Sequence, residues 1–280
     1  MLYLGVIATD NDFLKNYNGI TTSINNIRNE FKNRVHVVIL FQTKNNNFLH
    51  KVNMRNFDDI IISDFFGTSA SRNKLINDAL SKQKSHDISH LLFHDSSIRW
   101  NKSASKFIAL NLDRGFIPFA YSNISENEYF LSEDCSIESY TSKPKILTET
   151  YVGSYVFKIE DISNIRFNTN FGPGENTPFK SGEDVLFLMS YIKGNNIKKL
   201  NKSKYIFLHH PLRPKNFIKH LTYAKGQGKI YRILLSDNGG LYVWLMFFGF
   251  ICNSILRCFL FKKNSFNILK NRFIGFWEKS

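Results

Sequence analysis

FGPGENTPFKSGEDVLFL, residues 171–188, decides how the chain is read. A loop broken by glycine and proline delivers two adjacent acids onto the start of an apolar, helix-like segment. Gly172, Pro173 and Gly174 oppose regular structure. Val185, Leu186, Leu188, Met189 and Ile192 then recur at three- and four-residue spacing, which predicts a helix starting near Gly182. Glu183 and Asp184 fall on its first turn, where unpaired N–H groups and the positive end of the helix dipole favour a carboxylate. Ser181-x-x-Asp184 also has the spacing of a capping box, so a purely structural role is open to the acids.

Upstream, short apolar strands alternate with amphipathic helices. Residues 2–9, 35–41, 59–63 and 88–93 read as strands, and residues 18–32 and 74–82 as helices. This alternation predicts an α/β fold, a mostly parallel sheet flanked by helices, with ligands at the carboxyl ends of the strands. Thr9-Asp10, Gln42-Thr43 and His94-Asp95 then share one edge of a cleft. Past Trp100 the pattern loosens into short apolar segments at 107–111, 116–121 and 151–159, and Gly153 reads as a mid-strand glycine. A strand-like run ends at His209-His210, and Gly226 and Gly228 are expected to break the basic run 220–233. His86, His90 and His94 would line one face of a helix as in a zinc site, but the apolar residues among them predict a strand instead.

At 280 residues with 43% hydrophobic content the chain can bury a substantial core. Its 37 basic and 23 acidic residues leave +14, which points to anionic partners. The basic residues are spread along the chain rather than gathered with aromatics into one stripe, which argues against nucleic acid. Cys135, Cys252 and Cys258 lack metal-type spacing and suit a reducing compartment. Asp237-Asn238-Gly239-Gly240 reads as a boundary, after which the chain becomes almost continuously apolar. Residues 241–256 as a helix reach about 24 Å, short of a hydrocarbon core of about 30 Å. Extending the run to Phe261 gives 21 residues but leaves Asn253, Ser254 and Arg257 inside it. Arg257, Lys262, Lys263, Lys270 and Arg272 beside Phe273, Ile274, Phe276 and Trp277 are the pattern of a segment lying in an anionic membrane interface. A helix pair packed on the domain is the alternative.

One ordered series stands out. Gly67-Thr68-Ser69-Ala70-Ser71-Arg72-Asn73 opens a helix, and a strand then ends at His94-Asp95-Ser96-Ser97. FGPG leads to Gly182-Glu183-Asp184, followed by His209-His210 and by residues 223–228, YAKGQG. In this order and spacing, over about residues 1–235, the chain resembles the family 2 glycosyltransferases of GT-A fold, particularly the bacterial enzymes of capsule, O-antigen and other surface-polysaccharide synthesis.

The resemblance implies a transferase domain at 1–236; the apolar and basic composition beyond it reads as a membrane-associated tail at 237–280. Within the domain, residues 1–100 would take a nucleotide sugar, usually a UDP-sugar, and 101–236 the acceptor. It implies Asp184 as catalytic base with Glu183 beside it, and donor contacts from Thr9, Gln42, Arg72, Asn73 and Asp95. It also implies a divalent cation, Mn2+ or Mg2+, at Asp95, Ser97 and His209. Two departures bear on this. Ser96-Ser97 stands where the family has a second acid, and Gln42-Thr43-Lys44 where it has an acidic nucleoside-contacting run. Arg72 and Lys225 could then offset part of the diphosphate charge. The implied enzyme inverts the anomeric centre and works at the cytoplasmic face of a bacterial inner membrane, peripheral or monotopic, on a saccharide or lipid-linked saccharide. The alternatives are a degenerate member that binds without transfer and a polyanion-binding module.

Overall fold

The computed structural model describes residues 1–32, 34–44, 54–112, 117–118, 120–122, 137–141, 151–197, 199–203, 207–209, 218–237 and 240–278. Strands β1 (Leu2–Thr9), β2 (Val35–Gln42), β3 (Asp59–Ser63) and β4 (His90–Asp95) are parallel neighbours. A short β5 (Ile117–Pro118) and β8 (Tyr155–Lys158) complete a six-stranded sheet in the order β3-β2-β1-β4-β8-β5, with β8 antiparallel to both of its neighbours. Two small sheets pair β6 (Ala120–Ser122) with β10 (Phe207–His209) and β7 (Ile137–Thr141) with β9 (Lys199–Ser203). The near-continuous apolar runs of β1 and β2 are buried on both faces, as a covered parallel sheet requires.

On one face, Phe13, Ile20, Ile24 and Ile27 of α1 (Asp10–Phe31) and Phe107 and Ile108 of α3 (Lys102–Asn111) share a core with alternate residues of β1 and β2. On the other, Leu75 and Ile76 of α2 (Thr68–Lys82) meet Phe187, Leu188 and Tyr191 of α4 (Glu183–Gly194). The register pairs Thr9 with Gln42 and Ile7 with Asp95, so these residues do end on one edge.

Several boundaries move, each for a local reason. Helix α1 starts at Asp10, because Thr9 caps it by accepting from the Asp12 N–H. The first turns of α1 bury only Phe13, so they show little periodicity. Residues 107–111 lie inside α3, whose Asn101 side chain accepts from the Ala104 N–H. Gly153 sits in a 3-10 turn, Val152–Ser154, rather than in a strand. Gly226 and Gly228 break nothing, because residues 220–233 lie inside one helix, α5 (Ile218–Ser236). Their missing side chains serve packing. A Cβ at Gly228 would stand 1.9 Å from the Arg272 carbonyl oxygen, so the backbones of α5 and α7 (Ser265–Trp277) touch there.

Helix α6 (Gly240–Phe259) is long and apolar enough to cross a membrane by length and composition, and only 17% of its most apolar window is buried. It is therefore not a core helix. With α7 it forms a hairpin laid along α5, tied by Lys225 Nζ to the Glu278 carboxylate at 2.8 Å and by Lys229 Nζ to the Glu278 carbonyl at 2.7 Å.

Candidate active site

The FGPG loop docks on the start of α2. The Thr68 N–H donates to the Pro173 carbonyl at 2.9 Å, and the Ser69 hydroxyl donates to the Phe171 carbonyl at 2.6 Å. Gly182 then turns the chain into α4 with φ +105, a conformation that favours glycine. The expected capping box does not form: Gly182 is the cap, and the Ser181 hydroxyl donates to the Tyr223 carbonyl of α5 at 2.9 Å. This leaves Glu183 and Asp184 facing a cleft of about 430 Å³ at the carboxyl ends of β1, β2 and β4.

Arg72 is the electrostatic centre, only 2% exposed. Its Nη1 donates to Asp184 Oδ1 at 2.5 Å and stands 3.9 Å from Glu183 Oε1, while Nη2 donates to Asp95 Oδ1 at 3.3 Å. Its guanidinium lies 5.2 Å from the ring centre of Phe167, which stacks on Phe187 at 3.9 Å. Burial pulls the Arg72 pKa down, but Asp184, Asp95 and Glu183 more than offset it, so the guanidinium stays charged. Asp184 is fixed at both oxygens, since Oδ2 accepts from the Val152 N–H at 2.9 Å. Burial raises its pKa against the pull of Arg72. Burial first, and Asp184 second, push Glu183 up to about 7. Burial around one cation thus raises the proton affinity of both Glu183 and Asp184, which suits general base work.

The expected site residues divide. Thr9, Gln42, Arg72, Asp95, Ser97, Glu183 and Asp184 all line the cleft. Asn73 does not. Its amide clamps the backbone of Phe167, donating to the carbonyl at 2.9 Å and accepting from the N–H at 2.8 Å, so it steadies the ring on which Arg72 rests. Lys225 is taken up by Glu278, and Lys219 of α5 lines the cleft in its place. Tyr151 and Tyr223 also line it. No local pattern marks Tyr151 or Lys219, which arrive by tertiary packing. His210 and the side chain of His209 lie outside the described residues.

Among the described residues, no group of three His, Cys, Asp or Glu side chains is placed to hold a metal ion. The cleft offers a cation the oxygens of Asp95 and Ser97. Hard oxygen donors in small number fit Mg2+ or Mn2+ carried mainly by substrate phosphates.

No protein-family profile matches the chain, and no curated protein matches it. Solved structures do. S. aureus TarS 1-349 in complex with UDP-GlcNAc superposes with a TM-score of 0.55 at 15% identity, over 83% of this chain and 65% of that one. The chain has the GT-A fold. The mannosyltransferase PcManGT from Pyrobaculum calidifontis, in complex with GDP-Man and Mn2+, matches over all of this chain and 88% of its own at 8% identity, with a TM-score of 0.51. The chain thus spans less than two thirds of the TarS structure it matches.

Proposed function

We propose that the chain is an inverting glycosyltransferase of the family 2 type. It moves a sugar from a nucleoside-diphosphate sugar, a UDP-sugar by preference, to a saccharide acceptor carried on a lipid, in bacterial surface-polysaccharide synthesis. The observation that carries this reading is the cleft itself, which sets Asp184 and Glu183 against buried Arg72 at the strand ends. The fold supports it, since TarS is seen with UDP-GlcNAc and PcManGT with GDP-Man.

In this reading the acceptor hydroxyl attacks the anomeric carbon from the side opposite the diphosphate, and the C–O bond to the diphosphate breaks. The hydroxyl proton passes to Asp184. Arg72 and the Val152 N–H each occupy one lone pair of its oxygens, so the carboxylate is aimed and still has accepting capacity. Glu183 shares the burial and the charge field, which keeps the pair's proton affinity high enough to accept. Thr9 and Gln42 edge the nucleotide side of the cleft, and Lys219 supplies positive charge at its rim. A divalent ion held by Asp95, Ser97 and the diphosphate would offset leaving-group charge.

The tail lies on the cytoplasmic face of the membrane as a monotopic hairpin. Leu241, Phe259 and Phe261 are 76%, 75% and 89% exposed, which no water-soluble surface favours. The test is Asp184→Asn, assayed with nucleotide sugars on membrane-extract acceptors in the presence of Mn2+ or Mg2+. Turnover should fall about 10²–10⁴-fold with donor binding retained. Undiminished transfer by the variant would remove Asp184 as base.

A further inference from the structure

The second feature with a claim to ligand chemistry lies away from the cleft, where α5, α6 and α7 meet. A small recess there is lined by His220, Ser254, Arg257, Ser265, Ile268 and Arg272. Arg272 is 9% exposed, yet its hydrogen bonds go to neutral acceptors. Nε and Nη2 donate to Gln227 Oε1 at 3.3 and 3.0 Å, and Nη1 donates to the Ser254 hydroxyl. The guanidinium lies 3.9 Å from the ring centre of Phe250. Among the described residues neither Arg272 nor Arg257 forms an ion pair. The contrast with Arg72, also buried but faced by three acids, is direct.

A buried charge is stable when an opposite charge meets it, and a second like charge beside it makes matters worse. Here burial first, and Arg257 second, lower the Arg272 pKa to about 10. Two guanidiniums converging with no carboxylate among the described residues are the electrostatic signature of a missing anion. The first residue of α7, Ser265, lies in the same lining, so the recess also meets the start of a helix; the Ser265 N–H itself donates to the Lys262 carbonyl at 3.0 Å, which leaves its hydroxyl as the group Ser265 can offer. Around it the chain exposes apolar side chains rather than polar ones. Leu256, Phe259, Leu260, Phe261 and Phe266 are all exposed, with Lys262 and Lys263 among them.

We infer that the mouth of this recess, which itself has room for only about one water, binds the phosphate of an anionic membrane lipid, with Arg257, Arg272 and Ser265 lining the mouth and the apolar residues of the α6–α7 turn among the acyl chains. Charge complementarity selects a phosphate, and the apolar collar selects one attached to a lipid rather than free in solution. The inference deepens the membrane-facing reading of the tail. Vesicle binding needs no sugar transfer, so its failure would leave the transferase reading standing.

The experiment uses the full chain and flotation with phosphatidylcholine vesicles, with and without phosphatidylglycerol. Binding should require the anionic lipid. Arg257→Gln should weaken it about tenfold or more, as loss of a hydrogen bond to a charged group does. Ser265→Ala, which changes no charge, should weaken it severalfold. Lys270→Gln, a basic residue outside the recess, should cost about fivefold at most, the effect of one diffuse surface charge. Equal losses for Arg257→Gln and Lys270→Gln, with Ser265→Ala unaffected, would overturn the site in favour of unspecific attraction. Because Arg272→Met removes buried hydrogen bonds and could unfold the hairpin, the exposed Arg257 and the single-hydroxyl change at Ser265 carry the test. Inorganic phosphate gives the second arm. Phosphate that raises the melting temperature of the wild type but not of Arg257→Gln, while vesicles fail to bind, would point to a soluble phosphate and also overturn the lipid assignment.

Discussion

Replacing Glu183 by Gln should make the protein more stable in alkaline solution, although it removes a charged residue from the first turn of a helix. The Glu183 carboxyl rises from an ordinary value of 4.5 to about 7 in the fold, through burial first and the neighbouring Asp184 second. A group raised in this way adds stability that is fully present below its unfolded value and is lost as pH climbs through the folded one. Below about pH 5 the protonated acid and the amide should therefore be equivalent. Above about pH 8 the wild type carries a buried carboxylate that the variant lacks. At about 1.4 kcal/mol per tenfold in proton affinity, and with Asp184 carrying part of the proton, the difference is about 2–3 kcal/mol in favour of the variant. Urea unfolding of both proteins at steps between pH 5 and pH 9 reads it directly, as two stability curves that diverge through neutrality. Parallel curves, or a variant less stable at pH 9, would refute the claim that the cleft holds Glu183 against its preferred charge state.

Arg72→Met should cost about 3–5 kcal/mol at pH 8, since it leaves three acids around an empty centre, and less at pH 5, where Glu183 takes up a proton; Arg72→Lys should recover part of this in the same unfolding series. Gly228→Ala should lower the melting temperature, because a Cβ placed 1.9 Å from the Arg272 carbonyl oxygen forces α5 and α7 apart, at about 1–3 kcal/mol by calorimetry. Asn73→Ala should cost about 1–3 kcal/mol through the lost clamp on Phe167 while sparing donor affinity; lost affinity at full stability would return Asn73 to the donor site.

Much of the scaffold is legible because its signals are local. β1, β2 and β4 are short apolar runs buried on both sides, and each ends in the polar residue that reaches the cleft: Thr9, Gln42, Asp95. The acids of α4 announce themselves by following a glycine-broken loop. What escapes the sequence is set by partners far along the chain. Lys225 looks like a phosphate-binding lysine until Glu278, 53 positions later, folds back onto it. Asn73 stands beside Arg72 in sequence yet points at Phe167, because successive helix residues lie about 100° apart around the axis. Gly226 and Gly228 read as breakers because propensity counts only the cost of glycine within its own helix. The gain lies across the interface, where two backbones approach without side chains between them.

That pair of glycines also joins the two proposed sites. A Cβ at Gly226 would stand 2.5 Å from the Ser181 carbonyl oxygen, on the loop that turns at Gly182 into Glu183 and Asp184. Two residues on, Gly228 meets Arg272 of the tail recess. The same helix sends Lys219 and Tyr223 into the cleft, His220 into the recess and Gln227 onto Arg272. Positions 219 and 227 are about 12 Å apart along the axis at 1.5 Å per residue, so the wall of the transfer site and the anchor of the recess belong to one short rigid rod. A hairpin seated on a membrane through Arg257 and Arg272 would thereby hold the carboxylates at a fixed height above the lipid surface. An acceptor sugar on a lipid arrives at a height fixed by its own linkage. Distance from the membrane is then part of how the cleft would choose its acceptor, and a substitution at Gly226 or Gly228 should disturb acceptor use before donor binding.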